Sequence, residues 1–155
     1  MVILTLSPEN SGLPINPRKI KRRLGLALKA LGRADSSLSA RLGGDGEIRA
    51  LNRDFRGVDR ATNVLSFPWA AEGSGAPQGP REPFPRYLGD LFVSLETVLR
   101  EARERETDPG YLLYFYLVHG LLHLLGFDHE KGPAEEARQD GETRRILALF
   151  PHGLD

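Results

Sequence analysis

The chain has 155 residues, with 21 basic and 21 acidic side chains for a formal charge of zero, four histidines and no cysteine. Its length suits one domain, 1–155, with a single core, and 40% hydrophobic with 27% charged residues excludes a disordered or fibrous chain. Without cysteine there is no disulfide framework, thiolate zinc ribbon, iron–sulfur cluster or cysteine nucleophile, so any metal must sit on imidazole, carboxylate or water.

Val2 to Leu6 reads as a short strand, broken by the prolines, Gly12 and Asn10 of the stretch from Ser7 to Pro17. Asn16 and Pro17 fit an N-cap and first-turn pair. Ile20, Leu24, Ala27, Leu28 and Leu31 then mark one helical face, closed by Gly32. Leu38, Ala40 and Leu42 alternate with polar residues as in a half-buried strand. Gly43 and Gly44 turn the chain, and Asp45 is expected to cap a short helix that buries Ile48, Leu51 and Phe55.

Val64, Leu65 and Phe67 form a third strand ended by Pro68. Between Trp69 and Arg86 the density of proline and glycine predicts a long irregular loop. Leu88 to Leu95 reads as a fourth strand and Glu96 to Arg105 as a charged helix. Asp108 and Pro109 cap a helix running to Leu125 that is apolar almost all round and therefore central. Pro133 to Leu149 fits a last amphipathic helix. This order predicts an α+β fold, a small mixed four-stranded sheet covered by about five helices, with some strand pairs parallel and the third and fourth antiparallel. No stretch of about eighteen apolar residues is available to span a membrane. Met1 to Leu6 lacks the features of a secretion signal, so the expected location is the cytoplasm.

Three of the four histidines lie in HGLLHLLGFDH, from His119 to His129. His119 and His123 are four residues apart on the central helix, so their side chains point the same way, one turn apart. Gly126 is placed to end that helix in a left-handed conformation and bring His129 back to the same point. Three neutral imidazoles leave one tetrahedral position open, the catalytic rather than the structural arrangement for zinc. A zinc ion in such a site activates water near neutral pH and polarises a carbonyl or phosphoryl oxygen. Nickel, copper or iron would also suit three imidazoles.

The spacing H-x-x-x-H-x-x-G-x-x-H is similar to the metzincin peptidase signature, which makes the central helix zincin-like, but Gly120 stands where those peptidases carry the glutamate that serves as general base. A metallopeptidase or another metal-dependent hydrolase is therefore an alternative that Gly120 disfavours. Asp128 and Glu130 flank the third histidine. Either could orient a ligand or accept a proton, and for Glu130 a solvated loop or helix cap is an equal reading. His152 has no spacing relation to the others and reads as a surface residue.

The histidine string, LNRDFRGVDRATNVLSFP from Leu51 to Pro68, and LGDLFVS from Leu88 to Ser94 together closely resemble the YbeY family, bacterial endoribonucleases that mature ribosomal RNA. The three blocks keep the family's order, and the resemblance covers most of the chain. It implies a zinc-dependent, single-strand-preferring endoribonuclease that processes the 3′ end of small-subunit ribosomal RNA and takes part in ribosome quality control. By position, His119, His123 and His129 would hold one zinc ion per chain, and Arg56 would be the functional arginine near it. Thr62 and Asn63 would form the turn into the third strand, and Asp128 matches the aspartate before the third histidine. The implied partners are ribosomal RNA and the small ribosomal subunit, with ribosomal proteins or assembly factors as further candidates. A non-catalytic ribosome-assembly factor with a structural metal is the alternative from a different class.

A planar guanidinium suits Arg56 to that role, since it presents a fork of donors to phosphate. A second basic feature is the stretch from Pro17 to Arg41, where Arg18, Lys19, Lys21, Arg22, Arg23, Lys29, Arg33 and Arg41 face only Asp35. Such a stripe could track a phosphate backbone or simply be the solvated face of an amphipathic helix.

Overall fold

The computed structural model describes residues 1–7, 13–69 and 86–150. The expected loop, residues 70–85, and His152 lie outside the described residues. Four strands, β1 (Val2–Leu6), β2 (Ser36–Gly43), β3 (Val64–Pro68) and β4 (Arg86–Ser94), form one sheet in the order β1-β2-β4-β3. β1 and β4 both pair parallel with β2, and β3 pairs antiparallel with β4. The helices are α1 (Pro17–Ala30), α2 (Asp45–Arg56), α3 (Leu95–Glu104), α4 (Pro109–Leu124) and α5 (Pro133–Leu147), with a 3-10 turn at His129–Lys131. This is the mixed α+β arrangement that the hydrophobic periodicity predicts.

Local chemistry sets the helix ends. Asn16 Oδ1 accepts from the Lys19 amide at 3.3 Å and Asp108 Oδ2 from the Tyr111 amide at 3.0 Å, and each of these N-caps is followed by a proline that has no amide to satisfy. Ser94, the last residue of β4, caps α3 by accepting from the Thr97 amide at 3.3 Å. That moves Leu95 from the expected strand into the helix.

Alternation in β2 and β4 divides the core. Leu38, Ala40, Leu42, Leu91 and Val93 face α1 and α4 in the main cluster, whereas Phe92 joins Leu65 and Ile48 beneath α2. α4 contributes Leu113, Leu117, Val118, Leu121 and Leu122, all fully buried, each stabilising the fold by about 1.5–3 kcal/mol through removal of apolar area from water. Such a helix forms from tertiary burial more than from its own propensity.

Three expectations are corrected. Asp45 does not cap α2. Gly44 holds the cap position, and the Asp45 carboxylate accepts instead from Ser94 Oγ at 2.5 Å, Thr97 Oγ1 at 2.6 Å and Arg100 Nη1 at 3.2 Å. Phe55 is not buried but 69% exposed, because α2 covers only part of its sheet face. In the basic stripe, Arg23 is buried with its guanidinium 4.8 Å from the Tyr114 ring centre, and Arg41 lies in β2, paired with Glu47 at 3.0 Å. The remaining cations of α1 are exposed or half-buried along a helix that packs on β1.

Candidate active site

His119 and His123 are both half-buried on α4, and their Nδ1 atoms are buried. The Phe115 ring, one turn earlier, lies nearly parallel to the His119 ring with centres 6.0 Å apart, which restricts the imidazole's orientation. After Leu124 the helix stops. Gly126 has φ 101°, its amide bonds the His123 carbonyl at 3.1 Å, and the Phe127 amide bonds Leu122 at 3.1 Å. Glycine is needed there because a side chain strains a positive φ.

The chain then turns back. Asp128 Oδ1 accepts from the Glu130 amide at 3.0 Å, organising the 3-10 turn. His129 has its backbone in that turn, between two cavity-lining residues, while its side chain lies outside what the structure describes. α5 is pinned alongside α4 by Gln139, fully buried, whose Nε2 donates to the His119 carbonyl at 3.1 Å.

Opposite the histidines, Ser66 Oγ on β3 donates to the Gly120 carbonyl at 3.1 Å. A Cβ at Gly120 would lie 2.9 Å from Leu91 Cδ2 and 3.1 Å from both Ser66 Oγ and Val64 Cγ2. The position that holds glutamate in the metzincin pattern is thus pressed against the sheet, where any side chain would have to displace Leu91 and crowd Ser66 and Val64. The third wall is the end of α2. Gly57, with φ 71°, stops the helix and leaves Arg56 at the mouth, its Nη2 3.8 Å from Glu130 Oε1.

These elements enclose a cavity of about 520 Å³ lined by Arg56, His119, His123, Asp128 and Glu130, and also by Asn63, Ser66, Tyr116, Glu136 and Asp140. The structure therefore brings Arg56 from the second block together with two of the three expected histidine ligands. Imidazoles one turn apart are ligands of the type zinc takes, but no three histidine, aspartate or glutamate side chains among the described residues come close enough together to hold an ion, so a complete site would need His129, whose side chain lies outside them.

The sequence does not single out Tyr116, Glu136 or Asp140, and it marks Asn63 only as part of the turn into the third strand. Burial and the adjacent Glu101 carboxylate push the Tyr116 phenol up. Its hydroxyl donates to Glu101, which also accepts from Asn63 Nδ2 at 3.4 Å. One carboxylate of α3 so links the start of β3 to α4. The only sequence signal for Glu136 and Asp140 is their own i, i+4 spacing on α5, which any solvated helix face shares.

A family model for endoribonuclease YbeY matches residues 15–150. Curated relatives of that name include one from Anaeromyxobacter, 46% identical over 88% of this chain and 68% of its own length. Another, from Geobacter sulfurreducens, is 40% identical over 90% of both chains. The solution structure of TM1509 from Thermotoga maritima superposes with a TM-score of 0.63 at 25% identity, covering 95% of this chain and 87% of that one. The matched span contains every residue that lines the cavity, from Arg56 at its mouth to Asp140 on α5, and the chain belongs to the endoribonuclease YbeY family.

Proposed function

We propose that the chain acts as a single domain, in the cytoplasm, as a zinc-dependent endoribonuclease that cleaves single-stranded segments of small-subunit ribosomal RNA, including the 3′ end, and contributes to ribosome quality control. The observation that carries this reading is the convergence of Arg56 with His119 and His123 in one cavity, in a chain whose relatives bear the name endoribonuclease. His119, His123 and His129 would hold the ion, which supplies Lewis acidity at a phosphoryl oxygen when bound.

The chain's own residues do the rest. Arg56, exposed and weakly held by Glu130 across 3.8 Å, exchanges that carboxylate for a scissile phosphate and presents two parallel N–H donors to it. A fixed cation there stabilises the charge that builds on the phosphoryl oxygens. Asp128 spends one oxygen on the Glu130 amide and keeps the other to orient a ligand or take a proton. Gly120 disfavours peptide hydrolysis, since the peptidases' general base is missing at that position and a side chain there would be crowded by Leu91, Ser66 and Val64.

The test is cleavage of precursor ribosomal RNA by protein freed of contaminating nucleases, before and after metal removal and restoration. Metal-dependent cleavage supports the reading, and fragments ending in a 2′,3′-cyclic phosphate would assign attack to the ribose hydroxyl. Full RNA maturation by a variant lacking His119 and His123 would instead favour an assembly factor with a structural metal.

A further inference from the structure

The sheet face that carries α2 is only partly covered. Beside the helix a second cavity, of about 630 Å³, opens between Arg41, Leu51, Phe55, Phe67 and Asp90. Phe55 stands at its edge, 69% exposed, with its ring centre 5.3 Å from that of Phe67. Trp69, 44% exposed, meets Tyr87 edge-on at 5.6 Å, and the Tyr87 hydroxyl donates to Asp90 at 2.5 Å, which keeps that ring on the same face. Trp69, in the turn directly after β3, is held beside Phe67 by its contact with Tyr87 and by the bond from its amide to the Leu88 carbonyl at 3.0 Å. Contiguous exposed aromatic surface of this kind marks a binding site more often than a solvated one.

The occupant follows from what adjoins the patch. Phe55 directly precedes Arg56, and Phe67 directly follows Ser66, and both neighbours line the candidate active site. The aromatic face and the cleavage cavity meet around β3 and the end of α2. Arg53 and Arg56 occupy the last turn of α2, and Arg41 lines the second cavity. Exposed Phe55 and Trp69 beside arginines, whose present partners Glu47 and Asp54 a phosphate would replace, on a surface continuous with the candidate cleavage cavity, match an unpaired strand. Its bases stack on aromatics and its phosphates pair with guanidinium groups. A duplex keeps its bases stacked on one another and offers no faces to this surface.

We propose that this aromatic face binds the single-stranded RNA flanking the scission point, with unstacked bases lying on Phe55, Phe67 and Trp69. The proposal rests on the endoribonuclease reading above and adds a second substrate-contacting surface, outside the cavity, that selects unpaired strands.

Trp69 is the chain's only tryptophan and reports directly. Full-length protein is titrated with a 5′-fluorescein-labelled single-stranded dodecaribonucleotide, with Trp69 emission and label anisotropy read immediately after mixing. Saturable quenching that tracks the anisotropy is expected, with little from a duplex of the same length. Phe55→Leu, which keeps apolar bulk but removes the ring, should weaken binding about tenfold, as should Phe55→Ala, while Phe55→Tyr retains it. Binding without quenching, or Phe55→Leu binding as well as the parent chain, overturns the proposal and points to an apolar protein partner on this face. The endoribonuclease reading survives that result if cleavage continues. Quenching by a strand that is never cleaved keeps the aromatic surface and sinks the endoribonuclease reading.

Discussion

Ser66 Oγ donates to the carbonyl of Gly120 at 3.1 Å, fastening edge strand β3 to α4 between its two histidines. The close approach exists because position 120 has no side chain. Replacing glycine by alanine in a helix interior gains about 1 kcal/mol of helical preference, but forcing a methyl into a packed interface costs about 1–3 kcal/mol. Gly120→Ala should therefore be neutral to about 2 kcal/mol less stable in urea unfolding. Gly120→Glu should fail to fold or lose far more, and should not create peptidase activity. A stable Gly120→Glu protein would refute the packing account.

His119→Ala and His123→Ala should each lower bound zinc well below about one ion per chain, measured by elemental mass spectrometry on folded protein, and abolish RNA cleavage. Chelation should do the same to the parent chain, with activity restored by zinc. A variant that loses its metal yet cleaves at the parental rate would remove the histidines from the chemistry.

Arg56→Ala should cut RNA cleavage by about 10²–10³-fold, the scale for removing a donor aimed at developing charge, with zinc content unchanged. Arg56→Lys should rescue only partly, because an ammonium lacks the planar fork. Both side chains of the Arg56–Glu130 pair are more than half exposed, so thermal stability should barely move. Turnover equal to the parent's in Arg56→Ala would exclude it from the mechanism.

Asp45 offers a pH-dependent test. Burial alone would raise its carboxyl, but hydrogen bonds from Ser94, Thr97 and Arg100, with the Arg100 charge, outweigh burial and hold it below the usual carboxylate range. A carboxyl depressed in the folded state stabilises the fold above its unfolded pKa, near 4, and that contribution is lost as pH falls through the lower folded value. Asp45→Asn should cost about 1–3 kcal/mol at neutral pH, and the gap to the parent chain should narrow below about pH 4. A gap independent of pH would mean the charge of Asp45 plays no part.

The cations of α1 bear on RNA affinity rather than on cleavage chemistry. With Arg23 withdrawn beneath Tyr114 and Phe150, Lys21 and Arg22 are the exposed pair at the helix centre. If α1 tracks the backbone, replacing both by glutamine should flatten the salt dependence of RNA binding by about 0.7 per lost contact in a log–log plot. An unchanged slope assigns this face to solvent.

Much of the architecture was legible because it rests on local signals. Asn16 with Pro17 and Asp108 with Pro109 mark helix starts by backbone chemistry alone, and the unbroken apolar surface from Leu112 to Leu124 marks α4 as central. The histidine pair was legible through helical periodicity. What escaped depends on distant partners. Nothing near Arg23 announces that two aromatic rings, one from α4 and one from the segment just after α5, will cover it. Asp45 occupies a cap-like position, yet its partners lie about fifty residues on, in β4 and α3. Phe55 has the spacing of a buried residue, and only the limited breadth of α2 over the sheet leaves it outside. Glu136 and Asp140 differ in no local way from the other charges of α5.

β3 lines one cavity with Val64, Leu65 and Ser66 and the other with Phe67 and Pro68, so a single five-residue strand contributes to both surfaces. Its alignment is held by the Ser94 amide on the Asn63 carbonyl at one end and the Trp69 amide on Leu88 at the other, each 3.0 Å. A slip of one residue would flip every side chain of the strand, turning Phe67 toward the histidines and Ser66 toward the open face. The proposed cleavage site and the proposed strand-binding face would thus depend on one register, and a mutation at Asn63, itself part of the first cavity's lining, that shifts this register should damage both together.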